Sequence, residues 1–260
     1  MIPKIIHYCW FGRNPMSKLA KKCIRSWKRK CRGYDIIEWN ENNFDIQSSP
    51  LYVQQAYEAK KWAFVTDYVR LKVVFEHGGI YLDTDVEIIK NLDSFLGYHA
   101  FFGFEDGKHI ATGLGFGAEK GTEILAELMS DYDNLVFYKT DGTLNTISCP
   151  VLNTSVFIQH GLVQNNSYQV LDGDIHIFPK DVFCPIDYQT GVRSDTKESV
   201  SVHWFDASWQ TNDQRTNHLR ELKRIQRDRI KDTLFHTPNR IMLKLLGSEK
   251  YETLKKALKR

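Results

Sequence analysis

The stretch Gly78-Gly79-Ile80-Tyr81-Leu82-Asp83-Thr84-Asp85 constrains this chain more than any other. A glycine pair ends one element, three apolar residues make a short strand, and two carboxylates follow at alternate positions. Alternate residues of a regular strand face the same way. Asp83 and Asp85 would then repel each other unless a cation or hydrogen-bond donors stood between them. Two carboxylates at the end of a buried strand point to a divalent ion, and ion and carboxylates together to a diphosphate. A solvated strand end with two polar residues would look the same in isolation.

The surrounding pattern is that of an α/β protein. Pro3 to Trp10 reads as a buried first strand, and Ser17 caps a helix over Lys18–Lys30 whose Leu19, Cys23, Ile24 and Trp27 form an apolar stripe among basic residues. Tyr34–Trp39 reads as a second strand and Pro50–Lys61 as a helix. Trp62–His77 is the clearest helix, with Asp67 and Arg70 three apart on one face and Gly78 as its stop. Ile80–Leu82 follows as a central strand. Further strands are expected at Ala100–Phe104, Leu114–Ala118, Ile175–Phe178 and Ser199–Trp204, with helices at Thr122–Tyr132 and within Asn145–Gly161. Alternating strands and helices predict a largely parallel sheet. Two basic helices, about Asp213–Leu234 and Asn239–Leu258, close the chain. The expected division is a domain over 1–212 and a basic helical extension over 213–260.

The 260 residues suffice for one substantial domain, and 42% of them are apolar. No apolar run approaches the ~18 residues of a membrane span, and the first residues do not read as a signal peptide. Five scattered cysteines without a C-x-x-C pair predict reduced, buried thiols and a cytosolic setting. Charge is uneven. Residues 213–260 hold 14 Lys/Arg against 6 Asp/Glu, while 1–212 hold 21 against 26. Such a basic tail can meet a phosphate-bearing surface.

Asp67 and Arg70 lie among apolar neighbours, so their ion pair is expected to be drawn inward, toward the acidic pair. His203 ends a late strand, in Val202-His203-Trp204-Phe205-Asp206-Ala207-Ser208-Trp209. A lone histidine is usually structural. A site with two aspartates needs further ligands, however, and imidazole suits Mn²⁺. Trp10 and Trp209 at strand ends are placed either in the core or to stack on a base or sugar.

Four segments in order resemble a known family: Ile2–Gly12, Phe64–Arg70, Gly78–Asp85 and His203–Trp209. Together they look like the DXD-motif sugar transferases of glycosyltransferase family 32, which includes bacterial capsule and lipopolysaccharide enzymes and is distantly similar to the glucosylating clostridial toxins. The resemblance implies a GT-A fold, a single Rossmann-like domain with a mostly parallel central sheet. It implies a nucleotide-sugar donor, a UDP-sugar in the first instance, Mn²⁺ or Mg²⁺, and retention of anomeric configuration. Trp10 would stack on the base with Tyr8 nearby. Asp67 and Arg70 would hold sugar hydroxyls and phosphate oxygens, with Tyr81 and Thr112 beside the donor. Asp83 would contact ribose or sugar and lean toward the metal. Asp85 would ligate the metal, His203 would complete its coordination, and Trp209 would close over the diphosphate. Catalysis would rest on Asp83, Asp85 and Arg70. The family often has Asn where this chain reads Ala111-Thr112-Gly113, and Gly-Pro where it reads Cys149-Pro150. The acceptor implied is a glycan or polyprenyl-linked sugar; the basic tail, 213–260, is separately expected to meet the anionic inner face of the plasma membrane, with no nucleic acid as partner.

Two other readings stand beside it. Asp83-Thr84-Asp85-Val86 also fits the nucleophile motif of haloacid-dehalogenase-like phosphohydrolases, with Gly173-Asp174 as the later Gly-Asp, but the further acid required there falls on Phe178. The other is a non-enzymatic module binding membrane or nucleic acid through the tail.

Overall fold

The structure is a computed structural model, and it describes residues 1–206, 213, 216–218 and 220–228. Nine strands are described: β1 (Ile5–Cys9), β2 (Asp35–Trp39), β3 (Gly79–Tyr81), β4 (Val86–Ile88), β5 (Ala100–Gly103), β6 (Phe116–Ala118), β7 (Gln169–Leu171), β8 (Ile175–Phe178) and β9 (Ser201–His203). Helices are α1 (Lys18–Lys30), α2 (Leu51–Glu58), α3 (Trp62–His77), α4 (Glu123–Ser130), α5 (Cys149–Gln159) and α6 (Lys180–Phe183). The described residues from 213 onward are helical. The chain divides into two compact units. One holds residues 1–187 and those from 192 through the described 206, and the other holds 188–191 with the described residues from 213 on.

The first unit is built on a seven-stranded sheet in the order β2-β1-β3-β6-β5-β8-β7. Five of these strands run one way, while β6 and β7 run against them. The α/β class and the prevailing parallel direction are as expected. The two reversals arise where no crossover helix intervenes: β5 returns as β6 through a loop, and β7 turns into β8 through Asp172-Gly173-Asp174, with Gly173 and Asp174 at positive φ. The late strand around His203 does not join this sheet. As β9 it pairs antiparallel with β4, Val86 opposite His203, in a separate two-stranded ribbon.

Apolar side chains alternate across the sheet. Ile6, Ile80 and Phe101 pack with Trp27, Cys23 and Phe183 on one face. Tyr81, Phe102 and Phe116 pack with Val65, Val69 and Phe157 on the other. All five cysteines are buried and unbridged. The glycine pair has a specific geometry. Gly78 (φ 68°) ends α3, its N–H donating to Val74 O at 2.7 Å. Gly79 (φ 113°) lies so close to β1 that a β-carbon there would stand 2.9 Å from both His7 Nε2 and Ile5 O. β3, which leads into the aspartates, is thereby seated against β1, at the point where the chain leaves β1 toward both neighbours.

Candidate metal and diphosphate site

Asp83 and Asp85 do not lie on a regular strand. They occupy the turn between β3 and β4, closed by the Val86 N–H donating to Asp83 O at 3.0 Å. β3 is only three residues long and hands its last hydrogen bond to Leu82, whose N–H reaches His7 O at 3.0 Å. Beyond that point the chain is free to turn. The ribbon then brings His203 back over the turn: Trp204 N–H donates to Asp85 O at 3.0 Å, and His203 Nε2 stands 3.3 Å from Asp85 Oδ1.

One ligand atom each from Asp83, Asp85 and His203 lies within 4.8 Å of the others. The separation of Asp85 and His203 fits adjacent ligands of one ion, which stand about 3 Å apart at octahedral bond lengths near 2.1 Å. Two carboxylates and an imidazole, with room for water and phosphate oxygens, form a donor set suited to Mn²⁺ or Mg²⁺. Burial alone would raise the Asp85 carboxyl. His203, by charge and hydrogen bond, and the Asp206 N–H donating to Oδ2 at 2.8 Å outweigh it and hold the carboxyl below its usual range. Burial raises Asp83, with Arg70 opposing and Asp85 adding to the rise.

Arg70 lies behind this pair and is 4% exposed. Its Nη2 is 2.8 Å from Asp67 Oδ1 and 3.5 Å from Asp83 Oδ1, and Nε donates to Thr66 O at 3.1 Å. The expected inward ion pair is therefore present, and Arg70 spans two acids rather than one. Desolvation pushes the Asp67 carboxyl up to about 6 against the pull of Arg70. Tyr81 is buried beneath the turn, its hydroxyl donating to Asp83 Oδ1 at 2.8 Å and its ring 5.2 Å from the Arg70 guanidinium carbon.

Other residues expected at the site are placed as follows. Tyr8 donates to Glu38 Oε2 at 2.7 Å, and half-buried Trp10 donates from Nε1 to Asn14 O at 2.7 Å. Both lie at or just past the end of β1. Thr112 is fully buried, 3.1 Å from Cys149 Sγ and 3.1 Å from Asn153 Nδ2, which donates to it. It touches the constellation from below, through Arg70 Nη1 at 3.5 Å. Trp209 lies outside the described residues, as does the second tail helix. Gly173-Asp174, needed near the aspartates by the phosphohydrolase reading, form the exposed β7–β8 turn.

Several site residues escaped the sequence reading. Glu38 holds Tyr8, the Asp206 backbone holds Asp85, and Gly113 lies against Asp83, whose N–H donates to Gly113 O at 3.2 Å. Glu105 is raised by burial and feels both His203 and Asp83. Only Gly113 carried a usable signal, as a glycine beside Thr112.

Residues 17–102 match the family described as the glycosyltransferase sugar-binding region containing a DXD motif. Asp83-Thr84-Asp85 lies inside that span. Over this segment the chain is similar to the sugar-binding region of DXD-type glycosyltransferases. The expected resemblance is thus borne out over this segment. A curated relative, the uncharacterized glycosyltransferase L373 of Acanthamoeba polyphaga mimivirus, is 33% identical over 111 residues, or 39% of this chain and 43% of that protein. The chain therefore spans less than half the length of this relative. Solved structures that it resembles include PaToxG glycosyltransferase, at 18% identity and TM-score 0.48 over 61% of this chain and 69% of the other. Another is a glycosyltransferase involved in glycosylation of the major capsid of PBCV-1, at 13% identity and TM-score 0.43 over 84% and 100%.

Proposed function

We propose that this chain is a metal-dependent, retaining glycosyltransferase that moves a hexose from a UDP-sugar to a glycan or polyprenyl-linked acceptor in bacterial surface polysaccharide synthesis, capsule or lipopolysaccharide. The observation that carries the reading is the convergence of Asp83, Asp85 and His203 within 4.8 Å, with Arg70 behind them, where both aspartates and the arginine fall inside the span similar to a DXD sugar-binding region. Residues 1–212 form the catalytic part. The tail, 213–260, keeps the enzyme at the cytoplasmic face of the plasma membrane, and nucleic acid is not a partner. No helix among the described residues is long and apolar enough to cross a bilayer, which agrees with a peripheral arrangement.

Asp85 and His203 would hold the ion directly, and Asp83 would face it from the other side of the turn. When bound, the ion supplies positive charge for the diphosphate that leaves. Arg70 adds a fixed cation to the same region, kept charged by Asp67 and Asp83 despite its burial. Tyr81 orients Asp83, and the Asp206 N–H orients Asp85. Tyr8 and Trp10 would meet the base of the donor, and Trp209 is assigned to its diphosphate. In the transfer the sugar C1–phosphate bond breaks and a bond to the acceptor oxygen forms on the same face. The acceptor proton passes to the departing phosphate, so no protein base is assigned.

Thermal shift of the full chain against a set of nucleotide sugars, with and without Mn²⁺, tests the reading. At least one UDP-sugar should raise Tm only when Mn²⁺ is present, and Asp85→Ala should abolish that rise. No shift with any nucleotide sugar would overturn it.

A further inference from the structure

We propose that the outer face of α1 is a docking surface for an anionic lipid bilayer. The helix is fixed to the body by its inner side. Ala20, Cys23, Ser26 and Trp27 are buried, Trp27 Nε1 donates to Val86 O at 2.7 Å, and Ser26 Oγ accepts from the Ile88 N–H at 2.9 Å. α1 is therefore anchored on β4, the strand that begins one residue after Asp85. Its outer side presents Lys18, Lys21, Lys22, Arg25, Lys28 and Arg29, all exposed. At 3.6 residues per turn these six fall within about 120° of the helix circumference and extend along roughly 17 Å. The result is a straight strip of cations on one face.

Little neutralises the strip. No Asp or Glu occurs from Met16 to Tyr34. Among the described residues Lys22 alone of the six has an acidic partner, Glu87 at 2.7 Å. At its N-terminal end the pattern also runs against helix stability, whereas Lys28 and Arg29 in the last turn complement the dipole. Lys18 and Lys21 oppose the positive end of the helix dipole, the first turn holds no acid, and like charges three and four apart repel. Departures from local rules with no compensating contact mark a face kept for binding.

A flat, charged partner fits this face. The helix's one aromatic ring, Trp27, is turned inward, so the strip offers no platform on which an unpaired base could stack. Apolar residues do not accompany the cations, so attachment would be electrostatic, drawing on the surface potential of an anionic leaflet and fading with added salt. Because α1 is bound to β4, docking would hold the Asp83–Asp85 turn at a fixed height above the headgroups.

Co-sedimentation of the full chain with vesicles separates this proposal from its rivals. The chain should bind vesicles of equal parts phosphatidylcholine and phosphatidylglycerol, release in high salt, and ignore phosphatidylcholine alone. Combined Lys21→Gln, Arg25→Gln, Lys28→Gln and Arg29→Gln substitutions should weaken binding roughly a thousandfold, given the attraction each surface cation contributes. A charge-conserving set at the same positions, Lys→Arg and Arg→Lys, should bind like the parent, and neither variant should lose Tm. Unchanged binding by the glutamine variant would assign the affinity to another segment and overturn the proposal. So would failure of the parent chain to bind anionic vesicles, or its preference for a DNA oligonucleotide at equal salt. The readout is binding alone, so its outcome is independent of the glycosyl-transfer reading.

Discussion

Gly113 is packed against the carboxylate of Asp83: a β-carbon at this glycine would lie 2.4 Å from Asp83 Oδ2 and 2.9 Å from Arg70 Nη1. The first distance lies inside van der Waals contact, and the atoms met belong to buried Arg70 and to a half-buried carboxylate that Arg70 and Tyr81 hold, rather than to a mobile surface group. Gly113→Ala must therefore move Asp83, Arg70 or both. A misplacement of about 1 Å at a site of this kind costs on the order of a hundredfold in rate. We expect Gly113→Ala to lose that much transfer activity, with secondary structure unchanged by circular dichroism. Parental turnover in this variant would show that Asp83 and Arg70 need not be held where they lie.

Asp85 carries the next prediction. Its Oδ1 faces His203, and its Oδ2 is taken by the Asp206 N–H. Asp85→Asn keeps the size of the side chain and removes the charge, so the turn should survive while metal affinity falls. Transfer should drop by about 10²–10³, the usual loss for one such electrostatic contact. Activity with Mn²⁺ titrated into parent and variant reads the effect. An identical metal dependence in the two would remove Asp85 from the coordination sphere.

The sequence displayed the elements whose signals are local. The apolar pattern of α3, its glycine stop and the short strand after it can be read from Trp62 to Leu82 without a structure. So can the paired aspartates and the inward ion pair of Asp67 and Arg70. Strand direction was hidden, because nothing in Phe116-Gly117-Ala118 says whether it runs with or against its neighbours. β4 and β7, three residues each, are too short to show a period. The turn that carries Asp83 and Asp85 was not legible, because their alternate spacing at the end of the strand is equally compatible with strand. The layer of Cys149, Thr112 and Asn153 depends on side chains about forty residues apart meeting in the core, which leaves no mark in a single sequence.

Arg70 ties that buried layer to the site, and its loss should be felt in stability before activity. Asp67 and Asp83 would be left facing one another's charge in a desolvated place. Removing one partner of a buried ion pair costs about 3–5 kcal/mol. Arg70→Met, which retains much of the side-chain volume, should lower the unfolding free energy by that order in urea titrations. Adding Asp67→Leu to Arg70→Met should recover part of it, because one stranded carboxylate is then gone. No recovery in the double variant would mean that the arginine acts through packing rather than charge.

His7 supplies a prediction about acid stability that is independent of catalysis. The ring is fully buried on β1, with Nε2 2.8 Å from Gly78 O and Nδ1 accepting from Trp39 Nε1 at 3.0 Å. Both nitrogens are therefore satisfied by the neutral form, with Nε2 carrying the proton. Desolvation, partly offset by the bond to Gly78 and reinforced by His77, lowers its pKa from 6.5 to about 4. Above pH 6.5 the ring is neutral in native and unfolded chains alike, and its contribution is complete. Between pH 6.5 and 4 the unfolded chain takes up a proton that the native protein refuses, so stability falls as pH falls, by up to ~3 kcal/mol across the window. Asp67, raised to about 6 in the native state, acts in the opposite sense between pH 6 and 3.8, so the parent alone would not isolate the histidine. The comparison with His7→Asn does. We expect the parent's unfolding free energy to decline more steeply than the variant's between pH 6.5 and 4.5 in parallel urea titrations. Equal slopes would show that His7 titrates in the native protein as it does in water.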